Sequence, residues 1–266
     1  MAPRIPFARP RFLAMIWLVL VAPACSSHPG TSQPTTTVIV FAASSLTGAF
    51  TKIGADFESG HPGVTVAFSF GPSDGLAGQI ESEGTADVFA SASSTWMDHV
   101  SAKVGVSHLT PFATNRLIII TPPDNPAKIT GITDLGTPGV QLVLAAPGVP
   151  VGDYAREVLK NAGIASAAEA NVVSNEQDDV SLVARVANGE ADAAIVYLSD
   201  VTANVAPTVR SIAIPVSLNV TAVYPIAVVS GSANATPAAE FVDYVGGPRG
   251  QATLASFGFL PPPARA

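Results

Sequence analysis

Residues 38–57 read VIVFAASSLTGAFTKIGADF, and their order of patterns sets the fold class. The run 38–42 (VIVFA) is β-branched and aromatic without polar interruption, which is the mark of a buried strand. Ala43-Ser44-Ser45 breaks it. Leu46, Ala49, Phe50, Ile53 and Phe57 then recur at helical spacing along one face, with Ser45 placed to cap the helix at its N-terminus. His61-Pro62-Gly63 stops it.

The same strand, small polar turn and helix recur downstream. Residues 64–70 read as a strand, 71–73 as a loop and 74–83 as a helix with Leu76 and Ile80 inward. Residues 87–91 (DVFAS) form a short strand and 94–102 a helix. Strands are expected at 116–121 (RLIIIT) and 140–145, a loop at 146–152 and a helix at 153–161. Val172-Val173 is a short strand, 178–188 a helix and 193–197 a strand. Two late strands fall near 211–214 and 224–229, and closing helices carry Phe241, Val242 and Val245. Alternating strands and helices mean an α/β protein with largely parallel sheets. About ten strands exceed what one small sheet needs, so two lobes are expected. The chain would cross between them near 113–121 and 219–226. Lobe 1 then holds 38–115 plus 225–266, and lobe 2 holds 116–224.

The N-terminus has a different character. Arg4, Arg9 and Arg11 precede an apolar run over 12–22, and Ala22-Pro23-Ala24 follows. That run is short of the roughly 20 residues that span a bilayer, and the layout is that of a secretory signal peptide over 1–24. Cys25, the single cysteine, comes directly after it. Residues 26–37 are uncharged and rich in Ser, Thr and Pro, hence a flexible tether.

Composition excludes several functions. Of 266 residues, 48% are apolar and 12% charged, so the chain can bury a large core. The net charge of −7, with no basic run, leaves no footprint for nucleic acid. One cysteine permits no internal disulfide and no thiolate-built metal site. The four histidines, His28, His61, His99 and His108, show no metal-binding spacing.

In open α/β sheets ligands bind beyond the carboxyl ends of strands. Here the loops 43–45, 71–73 and 146–152 hold no Lys, Arg or His and open into helices. A helix start presents unpaired N–H groups and roughly half a positive charge. Several aimed at one point bind an anion without a cationic side chain, and the hydroxyls of Ser45 and Ser73 would add donors. A hydrolase would need a base beside its serine. No histidine lies near a strand end, Ser45 is outside a G-x-S-x-G elbow, and no glycine loop matches a P-loop or dinucleotide fingerprint. Asp74, Asp153, Asp178 and Asp179 all fall in first helical turns, where the helix dipole favours them.

Six stretches carry a family likeness. VFAASSLTGAF (40–50), FGPSDGLAGQIE (70–81), ADVFASASSTWMD (86–98), VPVGDYA (149–155), GEADAAIVYLSD (189–200) and YPIAVV (224–229) resemble the periplasmic molybdate-binding proteins of ABC importers, in order and spacing, over nearly all of 38–260. The N-terminus likewise resembles a bacterial lipoprotein signal, with Ala22 where Leu is usual.

The resemblance implies a two-lobed periplasmic-binding-protein fold of type II, with the ligand in the cleft. It implies a non-enzymatic receptor that captures molybdate or tungstate and hands it to an ABC permease. The protein would be monomeric, secreted, and anchored through lipidated Cys25 to the outer face of the cytoplasmic membrane. Molybdenum would enter only inside the oxyanion, with no cofactor and no direct protein–metal bond. The family binds its anion with neutral donors. Here these would be the hydroxyls and amides of Ser45 and Ser73, the backbone amides of Val151 and Asp179, and the phenol of Tyr197. Asp179 stands where the family has a small apolar residue. A carboxylate beside a dianion would repel it, so either the side chain turns to solvent or the matching position is a neighbour. Trp96-Met97 is expected to pack under its helix. Another tetrahedral oxyanion is the alternative ligand, sulfate first and then phosphate.

Overall fold

The computed structural model describes residues 35–264, so the readings of the signal segment, Cys25 and most of the tether lie outside the described residues. Strand β1 (Thr36–Ala43) begins inside the expected tether, with the Thr37 and Thr65 hydroxyls in contact at 2.9 Å. It pairs in parallel with β2 (Val64–Gly71) and β3 (Val88–Ala90).

A second parallel set is made of β5 (Leu142–Ala145), flanked by β6 (Val172–Glu176) and β7 (Ala193–Tyr197). Between the two sets run β4 (Val106–Thr121) and β9 (Thr221–Val229), antiparallel to their neighbours. The order is β2-β1-β3-β9-β4-β7-β5-β6, with β8 (Arg210–Ala213) on β4. The sheet is therefore mixed, and the expectation of largely parallel pairing holds only within each set. Strand β4 serves both halves: 106–116 pair with β9, and 117–121 pair with β7 and β8. The Asn219 side chain ties in at the changeover, accepting from Leu117 N–H at 3.1 Å and donating to Leu117 C=O at 2.8 Å.

The helices follow the apolar spacing. Helix α1 (Thr47–Gly60) buries Ala49, Phe50, Ile53 and Phe57. Phe50 and Phe57 meet Phe241 of α7 (Ala235–Gly246) edge to face at 6.1 and 5.4 Å. Full burial of each such ring contributes about 1.5–3 kcal/mol. Helix α8 (Pro248–Ser256) packs on the same side. The opposite face of the first set carries α2 (Ser73–Glu83) and α3 (Ser94–Lys103), which enclose a smaller core of Phe41, Leu76, Ile80, Phe89 and Met97. On the second set lie α4 (Pro150–Asn161), the short α5 (Ala165–Glu169) and α6 (Asp179–Ala187).

Several boundaries differ from the sequence reading. Helix α4 starts at Pro150, so Val151 and Gly152 belong to its first turn and not to a loop; proline suits that position because its missing N–H would be unpaired anyway. Strands β4 and β6 are longer than expected. Ser45 does not cap α1: it sits in a 3-10 turn (Ser44–Leu46), and Leu46 occupies the cap position.

Candidate functional site

The carboxyl ends of β1, β2 and β5 and the end of β7 converge on one cavity of about 20 Å³, room for little more than one water-sized sphere. Its lining includes Ser45, Ser73, Val151, Asp179 and Tyr197. All five residues picked out in the sequence thus come together, from segments as far apart as the turn after β1 and the last residue of β7. Ser44, Asp178, Ala43, Gly71, Pro72, Ala92, Val149 and Pro150 complete it, and no Lys, Arg or His is among them.

Neither serine caps its helix, which frees both hydroxyls for other work. Ser73 is the first residue of α2, behind Pro72, and its Oγ accepts from Ala92 N–H at 3.0 Å. A hydroxyl has one donor and two acceptor sites, so the Ser73 O–H can still donate into the cavity. Ser45 Oγ lies 3.1 Å from Tyr224 Oη. Val151, second in α4, has an N–H that its own helix cannot satisfy. Asp179, first in α6, is placed in the same way, and Asp178 caps that helix by accepting from Ser181 N–H at 2.7 Å.

Helix α4 is pressed onto the end of β5. Any side chain at Gly152 would run into the carbonyl oxygens of Ala145 and Ala146. The Arg156 guanidinium donates to Ala145 C=O at 2.7 Å and to Asn175 at 2.7 Å, and Asp153 accepts from Gly148 N–H at 2.9 Å. These bonds hold the α4 N-terminus at the cavity.

Tyr197 is buried, and its phenolic oxygen has no hydrogen-bond partner among the described residues. Burial, followed by the neighbouring Tyr224, pushes its phenol well above its ordinary pKa, so it is a neutral donor. Asp179 departs from expectation: its side chain does not turn to solvent. The residue is 4% exposed and Oδ2 lacks a partner. Burial raises its carboxyl to about 6, against the easing effect of a hydrogen bond with Asp200. Asp200, in the 3-10 turn after β7 (Leu198–Asp200), accepts from Tyr197 N–H at 2.8 Å. Its carboxyl is raised well above the usual range by burial and then by Asp179. The pairing of these two acids was missed in the sequence, as was the reach of Trp96. Its Nε1–H donates to Gly148 C=O at 2.8 Å, over the loop before α4, so Trp96 does more than pack.

Among the described residues no cluster of His, Cys, Asp and Glu is assembled for a metal ion, and no helix is long and apolar enough to cross a membrane. What this geometry can do is hold a small solute with neutral donors at helix starts. A mixed sheet in two halves with such a site at the strand ends defines a solute receptor of the periplasmic-binding-protein class. Residues 38–260 match the bacterial extracellular solute-binding proteins, and the chain belongs to that family. It is a binding protein and not an enzyme. It is 40% identical over 239 residues to the molybdate-binding protein ModA of Mycobacterium tuberculosis, covering 89% of each chain. It is 34% identical to ModA of Escherichia coli, covering 84% of this chain and 88% of that one. The structure resembles the periplasmic molybdate-binding protein of Azotobacter vinelandii with a TM-score of 0.72 at 19% identity, covering 85% of this chain and all of that one.

Proposed function

We propose that the protein captures molybdate, and also tungstate, outside the cytoplasmic membrane and delivers it to an ABC permease. The observation that carries this reading is the lining of the small cavity: five separate segments bring neutral donors to one point with no cationic side chain. Ser45, Ser73 and Tyr197 donate through hydroxyls, and Val151 and Asp179 through backbone N–H groups. A fully ionised tetrahedral anion offers acceptors only, which suits such a donor set. The ModA relatives support the choice of molybdate. Calorimetry and thermal melting with molybdate, tungstate, sulfate and phosphate test it. Molybdate and tungstate raise the melting temperature, by the equivalent of about 4 kcal/mol at a thousandfold excess over Kd. Equal stabilisation by sulfate or phosphate at equal concentration rejects the assignment.

The cavity is narrow and the Trp96 N–H bonds to Gly148 C=O beside it, the arrangement of closed lobes; the free protein opens to admit the anion and closes on it. In this reading 38–115 with 225–266 form one lobe, 116–224 form the other, and β4 and β9 carry the hinge. Solution scattering then shows a smaller radius of gyration with saturating molybdate, and an unchanged profile refutes the hinge. The receptor acts as a monomer. Cys25 carries the lipid anchor: Cys25→Ser moves the protein from the membrane to the soluble fraction, and a wild type already found soluble and unlipidated removes that role.

A further inference from the structure

The side chain of Asp179 has no place in the neutral-donor scheme, yet it forms part of the cavity wall. It also lines a second cavity of about 320 Å³, together with Ser199 and Asp200. Ser44, Ser45 and Asp179 are common to both linings. The Asp179 Oδ2 is buried and unpartnered, as is the Tyr197 phenol beside the small cavity.

We propose that Asp179 and Asp200 form a proton-holding carboxyl pair at the wall of the anion site, and that capture of the dianion takes up a proton on this pair. The Asp179 carboxyl then donates to the anion as a neutral acid.

Charge balance leads there. The groups felt by the pair are Asp178 at the cap of α6, Tyr197 at the end of β7 and Tyr224 of β9; Tyr154 of α4 acts on Tyr197. The turn at Ser44–Leu46 contributes no titratable group. Arg185 lies on α6 itself, but its guanidinium is engaged by Glu176 at 3.1 Å and Glu190 at 2.8 Å. Asp178 is acidic and the tyrosines are neutral. Neither cavity has a Lys, Arg or His in its lining. Two buried carboxyls without a cation cannot both stay ionised near neutrality, and they titrate as a unit. Adding a doubly charged anion against Asp179 favours protonation further. By linkage, the ligand then binds more tightly where the pair is protonated, and affinity falls as pH rises, at most tenfold per pH unit for one proton.

This inference rests on the anion-binding reading, and the test separates the two. Molybdate, which is fully ionised near neutrality, is titrated into wild type by calorimetry between pH 6.5 and 8.5. Buffers of different ionisation enthalpy count the protons. The expected result is net proton uptake approaching one per anion at the upper end of the range, and a Kd that rises with pH. In Asp179→Asn the backbone N–H is kept, proton uptake collapses, the pH profile flattens, and binding at pH 8.5 is tighter than in wild type. In Asp200→Asn, which keeps an acceptor for Tyr197 N–H, uptake shifts to lower pH. Saturable binding by wild type with no proton uptake and a flat profile overturns the carboxyl pair alone. A wild type that binds none of molybdate, tungstate or sulfate overturns the anion reading and this inference with it. Should Asp179→Asn bind much more weakly at every pH, the carboxylate is an acceptor for a protonated ligand and the proposed direction is wrong.

Discussion

The indole N–H of Trp96 donates to the carbonyl of Gly148 at 2.8 Å, joining α3, which packs on the β1 set, to the loop that launches α4 from β5. The bond bridges the two halves of the sheet directly beside the anion cavity, where Val149 and Val151 follow Gly148. A single neutral hydrogen bond contributes about 0.5–1.5 kcal/mol. Trp96→Phe keeps the ring and removes the donor. Affinity for molybdate should fall about two- to tenfold, mostly as faster dissociation in stopped-flow displacement. An unchanged off-rate would mean that Trp96 only fills space.

Ser45→Ala and Ser73→Ala should each weaken molybdate binding about ten- to a hundredfold, since each removes a charge-assisted donor of about 1.5–3 kcal/mol. Tyr197→Phe should lose a similar amount. The two serines separate in stability. Removing the Ser73 hydroxyl leaves the buried Ala92 N–H without its acceptor, which costs about 1–3 kcal/mol in urea unfolding. Tyr224 keeps Asn115 as a neighbour when Ser45 is truncated, so Ser45→Ala unfolds closer to wild type. Equal destabilisation by both would contradict this arrangement.

Gly152→Ala adds a methyl group against the carbonyl oxygens of Ala145 and Ala146. These are backbone atoms and cannot rotate away, so α4 must shift off β5. A loss of about 1–3 kcal/mol is expected, together with weaker anion binding as the Val151 N–H moves. A variant that binds and unfolds like wild type would show that the close approach is relaxed in solution.

Ligand-free stability should depend on the Asp179 carboxyl. Its folded value, about 6, lies above the ordinary 3.8. The unfolded chain therefore gives up this proton first. The contribution is fully present below about pH 4 and is lost as pH rises through about 6. Asp179→Asn removes that loss, so at pH 7.5 it should be more stable than wild type, on the order of 2–3 kcal/mol. The difference should shrink toward pH 4. Urea titrations at both pH values check this, and a variant less stable at pH 7.5 would reverse the sign.

Local patterns in the sequence determined a good deal. The apolar face of α1 through Phe50, Ile53 and Phe57, and the run of β1, were legible because they depend on residue spacing within one element. The five residues of the cavity were legible for a related reason. Helix starts after strands lie at the carboxyl edge of the sheet whatever the rest of the chain does, and family resemblance named the positions. The start of β4 was not legible. Its residues from Val106 to Asn115 include Pro111 and the left-handed His108 and read poorly as a strand. They are held by β9 from more than a hundred positions away, across two irregularities in register.

The tertiary structure alone decided how the polar groups are partnered. Ser45 reads as a cap, but its neighbour in space is Tyr224, 179 positions on. Asp179 reads as a first-turn acid that the helix dipole favours. Its burial against Asp200 follows from how α6 meets the turn after β7, and its ionisation follows from that burial. Whether a hydroxyl caps or donates, and whether a carboxyl is charged, depends on which distant atoms surround it and exclude water. Spacing along the chain carries no record of those atoms until the sheet assembles.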